Sequence, residues 1–551
     1  MQNKTPNPVV VVDFGAQYAQ LIARRVRDLG VYSEVVPYDV DVGALGAKRP
    51  KALILSGGPA SVYAEDAPGL NPGLLELGVP VLGFCYGMQA MAVALGGEVP
   101  QTDVGEYGPT RLECAAEAGS ALLTGTPERQ KVWMSHRDSV GTLPKGFVCT
   151  ASTATTPIAA MEDPERRLYA TQFHPEVAHT THGQEMLSNF LFKICRITPN
   201  WKIDDLAAQM IAALKERIGG ARVICGLSGG VDSSVVAALL SRAIGDKLTC
   251  VFVDHGMLRK DEGKAVSEVF GKQFDVDFVY VHAEERYLDL LAGVSEPEQK
   301  RHLIGTEFWK VFFDEAAKLE QRTGDKIKYL AQGTIYPDTI ESGSAAGGTN
   351  AVGSKKAATI KSHHNLIPFP EGVHFNLIEP LRLLFKDEVR RLGLTLGLPP
   401  ELVWRQPFPG PGLAVRIIGD ITAERLDMLR EADAIVREEI DAYNDKLAEE
   451  SGRRDAPGSV WQYFAVLPAE LRSVGVMGDE RTYQNPIIVR AVESQDAMTA
   501  DWAKLDACQD PEFSFSRILS RISTRIVGEV SGVNRVIYDI TSKPPGTIEW
   551  E

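Results

Sequence analysis

Short apolar runs alternate with amphipathic stretches through much of this chain, and the alternation predicts strands and helices in turn. Val9–Val12 reads as a buried strand, followed by a helix from about Gln17 to Leu29. Ala52–Leu55 reads as a second strand and Val79–Phe84 as a third, with a helix from about Gly87 to Leu95 behind it. This order implies a mostly parallel α/β sheet over residues 9–195. After a linker near Arg196–Trp201, an amphipathic helix at about Asp204–Ile218 opens a second region. Arg222–Leu227, Leu248–Val253, Phe278–Val281 and Tyr329–Ala331 are its strand-like runs, so residues 201–404 read as a second α/β domain. A rigid Gln406–Gly412 connector opens a third region, 405–551. It carries helices near Ala423–Glu450 and short β-like runs at Ile487–Val489 and Arg535–Ile540, which suggests α+β.

From Ser342 to Lys361 the periodicity stops. Glycine and small residues dominate, and Lys355, Lys356 and Lys361 stand among them. Such a segment does not pack a core, and both a catalytic lid and a plain surface loop fit its composition.

A length of 551 residues exceeds what one core serves. A net charge of −15 argues against a nucleic-acid partner. No stretch reaches the roughly 18 apolar residues a membrane span needs, and the polar N-terminus is no signal peptide. Seven widely spaced cysteines offer no Cys-x-x-Cys pair and fit a reducing cytoplasm.

Two motifs carry chemistry. Ser228-Gly229-Gly230-Val231-Asp232-Ser233-Ser234 lies between a strand and a helix, where loop amides and the helix N-terminus face one anion. It lacks the Gly-Lys-Ser/Thr of the common P-loop. Gly83-Phe84-Cys85-Tyr86-Gly87 lies at another strand-to-helix turn and reads as a nucleophile elbow with sulfur in place of oxygen. His174 is a candidate base. Glu176, two residues on, would share its side of an extended backbone and orient the imidazole. Backbone amides of Gly58 and Tyr86 are the candidate oxyanion donors.

The first loop resembles that of the ATP pyrophosphatases, which adenylylate an oxygen and release pyrophosphate. The cysteine elbow, the Leu55–Pro59 segment and the Gln172–Glu176 segment resemble the class I triad glutamine amidotransferases. That resemblance implies ammonia release from glutamine through a thioester, with Gln89 and the Met134-Ser135-His136 segment lining the glutamine pocket. The Arg405–Arg416 connector, His363-His364-Asn365, Tyr336–Ser342, Phe385–Arg390 and the tail Asn534–Glu551 extend the similarity over the whole chain, to the glutamine-hydrolysing GMP synthetase family. The resemblance implies xanthosine 5′-monophosphate (XMP) as acceptor and ATP as co-substrate. It places Mg²⁺ on the phosphates, with Asp232 and then Asp338 as candidate ligands. Lys361 and Lys386 would stabilise phosphate charge, and Arg535, Lys543, Ile548 and Glu549 would bind XMP. It further implies a homodimer through the C-terminal domain, with each tail near the partner. Where the family often carries Gly-Arg-x-Phe, this chain has Gly305-Thr306-Glu307-Phe308, and Arg301 is the candidate substitute. Another adenylating amidoligase, of the NAD synthetase kind, is the alternative reading.

Overall fold

The computed structural model describes residues 7–16, 18–58, 61–100, 105–115, 119–177, 179–274, 276–341, 375–454, 456–477, 480–494 and 500–551. The Ser342–Lys361 segment, His363-His364-Asn365 and the Leu366–His374 stretch lie outside them, and with them Lys361. The chain divides into two compact units, the first holding the residues up to Leu206 and grouped with the short described stretch 337–341, the second holding the rest.

The first unit is built on one nine-stranded sheet. Its strands are β1 (Val9–Asp13), β2 (Ser33–Pro37), β3 (Ala52–Leu55), β4 (Val81–Phe84), β5 (Glu106–Cys114), β6 (Arg129–His136), β7 (Val148–Ser152), β8 (Ala160–Asp163) and β9 (Leu168–Thr171). They lie in the order β2-β1-β3-β4-β9-β8-β7-β5-β6. From β2 to β9 the pairing is parallel, as the apolar runs predict. Of these, the inner strands β1, β3 and β4 are buried on both faces and carry the apolar runs that such burial requires, while the edge strand β2 holds Glu34 and an exposed Pro37. The remaining four pair antiparallel. On β6 the burial alternates residue by residue, the mark of a sheet with one wet face. That weaker pattern escapes a search for apolar runs. Helices α1 (Ala19–Asp28), α2 (Val42–Ala47), α3 (Tyr86–Ala94) and α4 (Gly183–Ser188) complete the unit.

Helix α5 (Ile203–Ile218) leads into the second unit. There β10 (Arg222–Leu227), β11 (Leu248–Asp254), β12 (Asp277–His282), β13 (Ile327–Ala331) and β14 (Asn376–Ile378) form a parallel sheet in the order β12-β11-β10-β13-β14. Between them run α6 (Val231–Ile244), α7 (Glu262–Lys272), α8 (Glu284–Leu291), the long α9 (Pro297–Thr323) and α10 (Tyr336–Glu341). After β14 come α11 (Lys386–Thr395) and α12 (Pro400–Val403).

The C-terminal region is α+β. Strands β15 (Ile417–Ile418), β16 (Gln462–Pro468), β17 (Ser473–Met477), β18 (Glu480–Glu493), β19 (Asp501–Trp502) and β20 (Val533–Asp539) form a third sheet. Helices α13 (Ala423–Ser451) and α14 (Phe515–Glu529) belong to the same region. Pro486 interrupts β18 at a register shift against β20, where a missing N–H costs no ladder bond. One apolar cluster runs from Ile224 and Val251 through Leu413 and Leu426 to Ile487, Ile526 and Val533. The C-terminal region therefore shares a core with the sheet that carries the phosphate-loop motif.

Candidate active sites

The elbow is set by backbone contact. Cys85 sits between β4 and α3 with φ 49 and ψ −104, in the left-handed half of conformational space that a non-glycine residue rarely enters. Two flanking glycines make that turn possible. A Cβ on Gly83 would lie 2.9 Å from the Gly87 carbonyl carbon, and one on Gly87 only 2.5 Å from the Leu55 oxygen. The turn is pinned by Cys85 N–H donating to the Thr171 carbonyl (2.8 Å) and Gly87 N–H to that of Ser56 (3.0 Å). The two candidate oxyanion residues meet there: a Cβ on Gly58 would lie 2.9 Å from Tyr86 Cγ.

His174 and Glu176 follow β9, beside the elbow. His174 Nδ1 is 2.8 Å from Glu176 Oε1, and both side chains are buried. Burial alone would push the imidazole pKa down. The Glu176 carboxylate and the Cys85 sulfur outweigh it and hold His174 well above its ordinary value. The protonated form of His174 is thus favoured beside the Cys85 sulfur. The Tyr18 ring packs edge-on against it, with centroids 5.6 Å apart.

Gln89 is buried, and its amide donates to the Asp138 carbonyl at 2.6 Å. The Gln172 amide, 3.6 Å from Cys85 Sγ, ties Gln89 to the sulfur through a 3.4 Å contact. His136 reaches the same Asp138 carbonyl at 3.1 Å and lies 3.4 Å from Glu106. Burial pushes the His136 pKa down against the pull of Glu106. Both of its ring nitrogens are thus taken up by groups of the protein.

In the second unit, β10 and α6 are joined by Ser228-Gly229-Gly230. Gly229 takes φ +74, and Gly230 caps the helix in an extended conformation. Ser233 and Ser234 hydroxyls donate to the Gly230 carbonyl at 3.1 and 2.9 Å, and Ser228 Oγ lies 3.1 Å from Ser233 Oγ. Val231 is buried as the first helical residue. Lys386, the first residue of α11, donates to both oxygens of Asp232, at 2.9 and 2.7 Å. Arg405 donates to the Gly229 carbonyl at 2.7 Å and pairs with buried Glu262. A cation thus stands on each side of the loop. Among the described residues no group of three or more His, Cys, Asp or Glu side chains gathers into a metal cage. A Mg²⁺ here fits only as an ion held by one carboxylate, substrate phosphates and water, which is the usual mode for this cation.

The tail is anchored on its own chain. Glu549 accepts two bonds from fully buried Arg416 (3.1 and 2.9 Å) and one from Gln462 (2.8 Å). Ile548 is buried, Arg535 is exposed and reaches the Val474 carbonyl at 3.4 Å, and Lys543 pairs through its backbone with Ala500. Arg416 and Gln462 therefore hold in place the carboxylate from which a purine or ribose contact is expected. Arg301, the candidate substitute for a missing arginine, donates to the backbone oxygen of Glu551.

Comparison with known families matches residues 10–194 to glutamine amidotransferase class-I, 204–300 to NAD synthase and 449–550 to the GMP synthase C terminal domain. A GMP synthase (glutamine-hydrolyzing) from Parafrankia sp. strain EAN1pec is 55% identical over 548 residues, covering 99% of this chain and 97% of that one. The enzyme of the same name from Streptomyces avermitilis is 53% identical over 546 residues (99% and 98%). That from Clostridium novyi is 53% identical over 543 residues (98% and 99%). This chain belongs to the glutamine-hydrolysing GMP synthase family.

Within that family the NAD synthase likeness is confined to the segment holding the phosphate loop, and it explains why the alternative amidoligase reading arises from that motif. Sequence reasoning missed Gln172, Asp138, Arg405, Glu262 and Arg416 as site-supporting residues. Gln172 stands inside the quoted Gln-Phe-His-Pro-Glu run, so its place was legible. Arg405 and Glu262 are 143 positions apart in sequence, and nothing in either neighbourhood announces the other.

Proposed function

We propose that this chain makes GMP from XMP, drawing ammonia from glutamine at Cys85 and activating XMP with ATP at the Ser228–Ser234 loop. Cys85 Sγ attacks the carboxamide carbon of glutamine. Amides of Gly58 and Tyr86 hold the oxyanion, and each such donor is worth about 10²–10³ in rate. His174 gives its proton to the departing ammonia, then takes one from the water that opens the thioester, with Glu176 holding the ring throughout. Gln89 and His136 shape the pocket wall.

At the second site the C2 oxygen of XMP attacks the α-phosphorus of ATP and pyrophosphate leaves. Ammonia then attacks C2 and AMP departs, leaving GMP. Ser228, Gly229, Gly230, Val231, Asp232, Ser233 and Ser234 surround the leaving pyrophosphate, and Lys386 lends it charge. Lys361 belongs to the same reading. Asp232 would carry the Mg²⁺, which when bound neutralises phosphate charge. Arg535, Lys543, Ile548 and Glu549 would bind XMP, with Arg416 keeping Glu549 in place. The domain limits 9–195, 201–404 and 405–551 follow from this division of labour.

The observation that carries this reading is the Cys85–His174–Glu176 geometry, in a chain that aligns end to end with GMP synthases. A homodimer is supported by the sheet formed by β17 and β18. Val474 pairs with Tyr483 there, and both, with Val476, expose apolar surface. A cytoplasmic setting is supported by seven free cysteines. The deciding experiment compares nitrogen sources. Cys85→Ala is expected to abolish GMP formation from glutamine and spare it from added ammonium. Loss of both would reject separable sites. Amination of nicotinic acid adenine dinucleotide, with none of XMP, would reject the acceptor.

A further inference from the structure

Lys300 is a fully buried ammonium at the start of α9, with all three of its donors satisfied. Nζ donates to the Ala414 carbonyl (3.3 Å), the Ile417 carbonyl (2.6 Å) and the Glu551 carboxylate (2.6 Å). These acceptors belong to different pieces of the second unit: Ala414 to the connector, Ile417 to the start of β15 that follows it, and Glu551 to the tail. Arg301, the next residue, donates to the Glu551 backbone oxygen. Two residues upstream of Glu551, Glu549 is clamped by Arg416, which stands between Ala414 and Ile417.

Stability does not explain why a charge is kept here. Removing two ions from water is expensive, and a packed apolar pair of equal volume often serves as well or better. Burial pushes Lys300 down and Glu551 up in pKa, the direction that works against the ion pair. What the ammonium supplies that an apolar group cannot is direction. Three bonds from one atom fix the connector, the start of β15 and the tail relative to α9.

We propose that Lys300 is a positioning residue for the acceptor nucleotide, acting through Glu551 to hold the last residues of the chain in register with α9 and the connector. The inference rests on the reading that Lys543, Ile548 and Glu549 bind XMP. It adds that their placement depends on a lysine that never touches the nucleotide.

Ammonia-dependent GMP formation by the full-length protein, with XMP and ATP varied in turn, tests this. Lys300→Met and Glu551→Gln are each expected to raise KM for XMP about tenfold, a change of about 1.4 kcal/mol, with kcat and KM for ATP within about twofold. Because both act through one contact, the double variant is expected to be no worse than the worse single one. Lys543→Ala is measured beside them. If it raises KM for XMP while neither of the others does, the lysine's role is refuted and the tail site stands. If Lys543→Ala has no effect, the tail site falls and this inference with it. Equal damage to the XMP and ATP parameters would reduce Lys300 to a general stabiliser and overturn the proposal. Should Lys300→Met not fold, Glu551→Gln, which removes the charge and keeps an acceptor oxygen, decides alone.

Discussion

Gly87→Ala is a one-carbon change whose consequence follows from three distances. The new Cβ would lie 2.5 Å from the Leu55 oxygen, 2.7 Å from Leu55 Cβ and 2.9 Å from the Leu55 carbonyl carbon. An acceptable carbon–oxygen contact is about 3.3 Å, so α3 and β3 must part by roughly 0.8 Å. Leu55 cannot yield easily, because β3 is hydrogen-bonded to β1 on one side and β4 on the other. Gly87 N–H is tied to the Ser56 carbonyl as well. The displacement therefore falls on the first turn of α3, which carries Cys85 at its cap and Tyr86 as its first residue. Overpacking of this kind costs about 1–3 kcal/mol, and a misplacement near 1 Å costs about 10²-fold in rate. Glutamine-dependent GMP formation is expected to fall about 10²-fold, while ammonia-dependent formation in the same preparation stays within about twofold. Gly69→Ala, which opens into space with nothing within 4 Å, is the silent control. Gly87→Ala protein with parental glutamine-dependent activity and an unchanged melting temperature would refute the argument that the glycine is there for backbone clearance.

Glu176→Gln removes the group that counters burial at His174. The alkaline limb of the glutaminase pH profile should move to lower pH, and an unmoved limb would show that Glu176 does not hold the imidazolium. Because the folded pKa of His174 is raised, its stabilising share is fully present below the unfolded value of about 6.5 and is lost as pH climbs through the folded one. The parent should therefore lose melting temperature on the alkaline side by more than Glu176→Gln does. Arg405→Met frees the Gly229 carbonyl and takes the guanidinium from buried Glu262. With about 1.5–3 kcal/mol in a charged hydrogen bond, KM for ATP should rise about tenfold or more, and an unchanged KM would separate the connector from the loop. Val476→Asp places a charge on an apolar residue of β17 that is more exposed than its neighbour Val474. Sedimentation should show a shift toward monomer, and an unshifted dimer would move the interface elsewhere.

The strands that hold the chemistry were legible because both faces of a parallel sheet are buried. Val9–Val12, Ala52–Leu55 and Leu248–Val253 have no polar alternation to confuse the reading. Cys85 and the Ser228–Ser234 loop were legible for a related reason: a tight strand-to-helix turn needs small residues at fixed offsets, and those offsets are local. Strands β5 and β6 were not legible, since a half-wet strand shows only weak alternation; β8, buried throughout, is only four residues long, and of β18 the apolar Ile487–Val489 stretch alone stood out.

By itself, the sequence determined which side chains could react and which short segments must turn sharply, because both depend on neighbours within a few residues. The tertiary structure decided what those residues are bound to. It brought Gln172 onto the Cys85 sulfur, locked His136 against Glu106, set Lys386 on Asp232 and Arg405 on Gly229, and tied the last residue of the chain to Lys300. Such pairings join positions up to 251 apart. Where the groups are buried, an unpaired charge or amide is too costly to leave alone, and no local pattern records which distant partner will meet that need.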